Sequence, residues 1–142
     1  MNKITVIGSG NVGSTIAYTL TTMGLASEIV MIDVNEEKSL GEALDIRQGV
    51  PFCNPANVYA GSYADAKDSN IVIITSGMAR KPGMSRLDLA QTNVDIIKSI
   101  ADKVVPVAPD ATYVIVSNPR IGVFPWSNIC RPPYVPVPRP CG

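Results

Sequence analysis

Two groups of residues have the types and spacing for chemistry. The first is Gly8-Ser9-Gly10-Asn11-Val12-Gly13, followed by Asp33 twenty residues after Gly13. The second is Thr75-Ser76-Gly77-Met78-Ala79-Arg80-Lys81-Pro82-Gly83-Met84-Ser85-Arg86, which holds two arginines six residues apart. In the first group, Gly8 permits a tight turn. Gly10 lets backbone approach a pyrophosphate, and Gly13 lets a helix pack close to a strand. The helix start adds free N–H groups and about half a positive charge. Asp33 can accept hydrogen bonds from both hydroxyls of an adenosine ribose. It would repel a 2′-phosphate, and Val34-Asn35 supply no arginine to hold one, so NAD is expected rather than NADP. The bland alternatives are a glycine turn kept for packing and an aspartate that caps the next helix. In the second group, Arg80 and Arg86 could close on a dianion, one of them through a bidentate fork on a carboxylate. The alternative there is a solvated charged loop, since surface arginines are common.

These groups need elements to hold them. Lys3–Ile7 and Glu28–Ile32 are short β-branched runs and read as buried strands. Asn11–Met23 reads as a helix with Val12, Ile16, Leu20 and Met23 at helical spacing, stopped by Gly24. Asn35 can cap a second helix through Leu40, Ala43, Leu44 and Arg47. Val58, Tyr59 and Tyr63 suggest a short third strand, and Asn70–Thr75 a fourth. Arg86–Val104 is a third helix with Leu89, Val94, Ile97, Ile100 and Val104 on one face, opened by a Ser85/Asp88 capping box. Thr112–Val116 is the fifth strand. Apolar strands alternating with helices predict an α/β fold with a parallel sheet covered on both faces. The expected form is a Rossmann-type doubly wound sheet in the order 3-2-1-4-5, incomplete at about five strands.

Composition narrows the function. The 142 residues carry no net charge, and no basic patch points to nucleic acid or an anionic membrane. No apolar run reaches the length of a membrane span, and the start shows no signal-peptide pattern, so a cytoplasmic protein is expected. The three cysteines Cys53, Cys130 and Cys141 have neither disulfide-framework nor zinc spacing, so no metal is expected. Composition shifts near Pro119. Residues 1–119 hold all 12 acids, whereas 120–142 hold three arginines, six of the 12 prolines and the single tryptophan. Residues 1–119 therefore read as the nucleotide-binding domain. Residues 120–142 read as an irregular Pro/Arg-rich tail: a frameshift or gene-model product, a polyproline-like tail, or a binding motif. With that tail unable to pair along it, TYVIV would be an apolar sheet edge and an aggregation hazard.

The segment TSGMARKPGMSRLDLAQTN resembles the mobile substrate loop of the malate/lactate dehydrogenase family. GSGNVGS, EIVMIDVNEEKSLGEALDI and VIVSNP resemble the same family in order and spacing, so the likeness covers residues 1–119. It implies an NAD-dependent 2-hydroxy acid dehydrogenase of malate type, with a small dicarboxylate as substrate. Gly8 to Gly13 and Asp33 would hold NAD. Asn93 would sit on the cofactor side, Val116 and Ser117 at the nicotinamide ribose, and Asn118 against both cofactor and substrate. By the same resemblance, Arg86 would polarise the substrate carbonyl. Arg80 would pair with the distal carboxylate, where lactate dehydrogenases usually carry glutamine. The family's Asp–His acid/base pair, its further arginine and its substrate domain have no counterpart here, and the chain has no histidine. Little or no turnover is thus expected from this chain alone, and oligomers only from a complete protein. The alternatives are a lactate-type fragment, a non-catalytic NAD-binding fragment and a product without function.

Overall fold

The computed structural model describes residues 2–79 and 81–116. Arg80, Ser117, Asn118 and the 120–142 tail lie outside the described residues. Five strands form one sheet: β1 (Lys3–Ile7), β2 (Glu28–Ile32), β3 (Asn57–Ala60), β4 (Ile71–Ile74) and β5 (Thr112–Ile115). Three helices connect them: α1 (Asn11–Thr22), α2 (Glu36–Gly49) and α3 (Arg86–Val104). Every pairing is parallel and the order is β3-β2-β1-β4-β5. That order is the one right-handed crossovers predict, and it leaves the sheet apolar on both faces.

Alternation along the strands builds two cores. Ile4 and Val6 of β1, Ile29 and Met31 of β2 and Val58 of β3 pack with Ala17, Ala43 and Ile46 on the α1/α2 side. Ile7, Val30, Ile32, Val72 and Ile74 pack with Ile100, Val104 and Ala108 on the α3 side. Burying one such side chain stabilises by about 1.5–3 kcal/mol, so the two layers fix the sheet between them.

The inward face of α1 keeps part of the apolar stripe seen in the sequence, Ile16 and Leu20 packing half-buried against the core, but its centre is different. Its buried residues are Gly13, Ala17 and Thr21, whereas Val12 is 54% and Met23 62% exposed. Close packing of the helix on the strands selects the small residues. Thr21 is accommodated because its hydroxyl donates to the Ala17 carbonyl at 2.8 Å. In α2, likewise, Ser39, Ala43 and Ile46 are buried, and Leu40 and Leu44 are exposed. In α3 the expected Ile97, Ile100 and Val104 are buried, joined by Ala90, Asn93 and Ala101. Tyr63 is not in a strand. It opens a 3-10 turn, Tyr63–Ala66, set by a capping box in which the Ser62 N–H and hydroxyl both donate to Asp65 Oδ2 at 2.7 and 2.8 Å. Those bonds hold the Asp65 carboxyl below the usual carboxylate range.

β5 pairs with β4 on one side. Its other edge carries no strand among the described residues, and Val114 and Val116 are exposed. At the opposite end of the strands, Glu28 Oε1 accepts from the Tyr59 hydroxyl at 2.6 Å and from Lys3 Nζ at 3.1 Å. The Tyr59 bond first, and Lys3 second, hold the Glu28 carboxyl below its ordinary range. A carboxylate with a depressed folded pKa contributes stability above its unfolded pKa and loses it as pH falls through the folded value. The melting temperature is therefore expected to fall below about pH 4.3, the ordinary glutamate value. Glu28→Gln should lower stability at pH 7 and flatten that acid limb. A melting series from pH 7 to 3 checks this; parallel wild-type and variant curves would exclude the contribution.

Candidate functional site

The candidate site lies at the carboxyl ends of β1, β2, β4 and β5, where open parallel sheets bind ligands. The turn from β1 to α1 follows from its glycines. Gly8 has φ +106°, a region that disfavours side chains. A Cβ on Gly13 would stand 1.7 Å from the Gly8 carbonyl oxygen, so only glycine lets α1 start this close to β1. Gly10 differs: a Cβ there would meet nothing within 4 Å. Gly10 is also the N-cap of α1, where no side chain caps the helix and no acidic residue occupies the first turn. The amides and partial positive charge of that end therefore face open space. Asn11 and Val12 form the exposed first turn beside it.

Asp33 ends β2 and is tied to this turn. The Ser9 N–H donates to Asp33 Oδ2 at 2.5 Å and the Asn35 N–H to Oδ1 at 3.0 Å. Each carboxylate oxygen keeps a further lone pair for an outside donor. Beside Asp33 runs a cleft of about 270 Å³ lined by Asp33, Glu36, Ser39, Leu40, Ala60, Gly61 and Ser62. Val34 stands 95% exposed next to it in sequence.

Two residues that the sequence reading missed lock this edge. The Thr75 hydroxyl, at the end of β4, donates to the Gly8 carbonyl at 3.0 Å. The Ser9 hydroxyl donates to Ser39 Oγ at 3.0 Å, and the Ser39 hydroxyl donates to the Met31 carbonyl at 3.1 Å. The buried Ser39 on an otherwise apolar helix face was the available signal, since a buried hydroxyl needs partners.

The loop after β4 is anchored by Asn93. This buried side chain accepts from the Met78 N–H at 2.7 Å and donates to the Met78 carbonyl at 3.5 Å. Asn93 thus ties loop to helix at the site edge. Arg86 is the exposed first residue of α3, set by the Ser85/Asp88 capping box. Val116 follows β5, and its N–H donates to the Ile74 carbonyl at 2.9 Å, which places it beside the end of β4. The structure therefore brings the glycine turn, Asp33, Asn93 and Val116 to one edge of one sheet. Among the described residues no group of three or more Cys, Asp or Glu could hold a metal ion. None of their helices is long and apolar enough to cross a membrane.

Residues 2–121 match the NAD-binding domain of lactate/malate dehydrogenases. The chain belongs to the lactate/malate dehydrogenase family. An L-lactate dehydrogenase of Thermoanaerobacter sp. (strain X514) is 54% identical over 119 residues, covering 84% of this chain and 38% of that protein. A minor L-lactate dehydrogenase from Enterococcus mundtii, solved in a ligand-bound form, superposes with a TM-score of 0.80 at 42% identity, over 83% of this chain and 38% of that one. A malate dehydrogenase from Archaeoglobus fulgidus, solved with NADH, superposes with a TM-score of 0.76 at 41% identity, over 82% and 40%. The chain thus spans well under half the length of these relatives. As a lactate/malate dehydrogenase NAD-binding domain, it takes NAD as its cofactor. Features of the edge fit that group: an uncapped helix start, open space over Gly10, and a fixed carboxylate at the end of β2.

Proposed function

We propose that this chain is the cofactor half of an enzyme that moves a hydride between NAD and a small 2-hydroxy acid, with malate and oxaloacetate as the pair. The observation that carries this is the junction of the glycine turn and Asp33 with the loop leading to Arg86 at one sheet edge. In this reading the backbone from Gly8 to Gly13, including Ser9, Asn11 and Val12, cradles the pyrophosphate. Asp33 accepts from the adenosine ribose. Asn93, Val116, Ser117 and Asn118 serve the nicotinamide side, and Asn118 also reaches substrate. NADH, when bound, supplies the hydride; the protein supplies position and charge. Arg86 stabilises the negative charge that develops on the substrate oxygen, and Arg80 pairs with the distal carboxylate. The forming alkoxide also needs a proton, and a histidine suits that task near neutral pH. None of the 142 residues is a histidine. The chain alone is therefore expected to bind NADH and turn over little or nothing. The soluble dicarboxylate is its partner class, residues 1–119 are its working unit, and assembly with copies of itself belongs to the complete protein.

A second reading, lactate and pyruvate, is favoured by one observation: a 54% identical relative is an L-lactate dehydrogenase. Arg80 separates the two. Residues 1–119 can replace the matched segment of the Thermoanaerobacter relative, and kcat/KM can be measured for oxaloacetate and pyruvate. The chimera should prefer oxaloacetate. Arg80→Gln should move the ratio toward pyruvate by about 100-fold, the scale of a lost charge-assisted pair inside a closed site. An unmoved ratio would remove the malate reading and leave the lactate one.

A further inference from the structure

Val12, Ile16, Leu20 and Met23 recur at helical spacing in α1, yet the strands take in Gly13, Ala17 and Thr21. At about 100° per residue, the stripe lies on one flank of the helix beside its buried centre. Ser14 and Tyr18 mark the other flank, because they line a groove with Glu42, Asp45 and Ile46 of α2. The stripe therefore faces away from α2 and toward β4 in the order β3-β2-β1-β4-β5. Ile16 and Leu20 pack on the same core layer as Ile71 and Ile73 of β4. Register carries that layer onto β5: Ile71 pairs with Thr112 and Ile73 with Val114, and Val116 follows two residues on. Tyr113 and Ile115 point the opposite way, into the α3-side core. The helices of the near side gather over β1, β2 and β3. Val114 and Val116 are left 43% and 44% exposed, and Met23 is exposed along the flank of α1. The result is an apolar trough, with β4 and β5 as its floor and α1 as its wall. A contiguous apolar surface of this kind marks a place that another segment covers.

We propose that residues 121–129 of this same chain fill the trough, with Trp126 as the anchor. The chain leaves the sheet at Val116, at one end of the floor, and Trp126 is ten residues further on. Ten residues reach up to about 33 Å, whereas the floor from Val116 back to Thr112 is about 13 Å long. Ile121, Val123, Phe124, Trp126 and Ile129 supply apolar side chains. Pro125 bars the segment from a regular strand ladder but not from lying on a sheet face, where side chains make the contacts. Charge favours the same docking. Residues 1–119 hold 12 acids and nine bases, whereas 120–142 hold three arginines and no acid. The tether also favours this segment over any separate molecule, since it sets an effective concentration of roughly millimolar order.

Trp126 is the chain's single tryptophan, so its fluorescence reports the docking directly. In the dilute 142-residue chain its emission should be blue-shifted and shielded from acrylamide. Val114→Asp puts a charge in the floor and should raise acrylamide quenching by about threefold. Phe52→Asp, 92% exposed in the turn after α2, should leave quenching unchanged. Circular dichroism checks that both variants fold. Trp126→Ser gives a second route that changes no residue of the sheet. It should empty the trough and raise the binding of anilinonaphthalene sulfonate, a dye that reports exposed apolar surface, severalfold. A Trp126 that is freely quenched in the native chain overturns the proposal. Shielding that a folded Val114→Asp chain keeps does the same, as does dye binding that Trp126→Ser leaves unchanged. Shielding that grows only with protein concentration, with dimers in sedimentation, also overturns it and assigns the trough to a second copy.

Discussion

Gly13→Ala is expected to destabilise the chain by more than about 3 kcal/mol, a large part of the 5–15 kcal/mol that holds a domain of this kind. The added Cβ would stand 1.7 Å from the Gly8 oxygen and 2.9 Å from the Gly8 carbonyl carbon. The obstacle is backbone, so no rotamer change relieves it. The Gly8 carbonyl also accepts from Thr75, and the Gly8 N–H donates to the Ile32 carbonyl at 2.7 Å. Moving the turn therefore disturbs the ends of β2 and β4 as well as α1. Gly10→Val is the matched control. Its Cβ meets nothing within 4 Å, and the Gly10 φ of −75° suits any residue. Its unfolding free energy should hold to within about 1 kcal/mol, the scale of an N-cap change, while NADH affinity falls sharply. Denaturant melts and NADH titrations of the two variants give a cross-over pattern. Equal stability of both variants would show that α1 does not start where the Gly8–Gly13 contact places it.

Asp33→Ala is expected to weaken NADH by about 100-fold, since hydrogen bonds to a charged group are each worth about 1.5–3 kcal/mol. Some stability goes as well. The Ser9 and Asn35 amides lose their acceptor, and Ser9 is fully buried. A loss of about 1–3 kcal/mol follows for an unsatisfied buried donor. Asp33→Asn separates the two effects. Its amide oxygen can keep the Ser9 bond, yet it removes the charge that the ribose hydroxyls would meet. A titration and a melt on each variant give both numbers. Unchanged NADH affinity in Asp33→Ala would remove the carboxylate from the cofactor site.

The bounds of β1, β2 and α3 were legible residue for residue, because each has a strong local cause. The two strands are β-branched and end at a breaker, and α3 opens on a capping box whose bonds form as the spacing predicts. The parallel order was legible too, since handed crossovers leave little choice. The glycine spacing located the turn, and Asp33 was placed at the strand end beside it. Other features had no local signature. Tyr63 is aromatic enough for a strand, yet the Ser62–Asp65 bonds win and turn the chain. Asn93 carried a family resemblance, but its sequence context does not reveal that it closes a pair of bonds around Met78.

The sequence by itself determined the element types, the position of the phosphate-type turn and the presence of a carboxylate one strand away. These depend on neighbours within a few residues and on spacing along the chain. Only the tertiary structure decided which face of α1 is buried. The strands admit Gly13, Ala17 and Thr21 because helix and sheet approach closely, and the longer Val12 and Met23 are turned out. It also decided that Thr75 and Ser39 brace the turn, since their partners Gly8 and Met31 are reached through space. A hydroxyl's hydrogen bond is set by where another element's carbonyl comes to rest, and that position exists only once the sheet has formed.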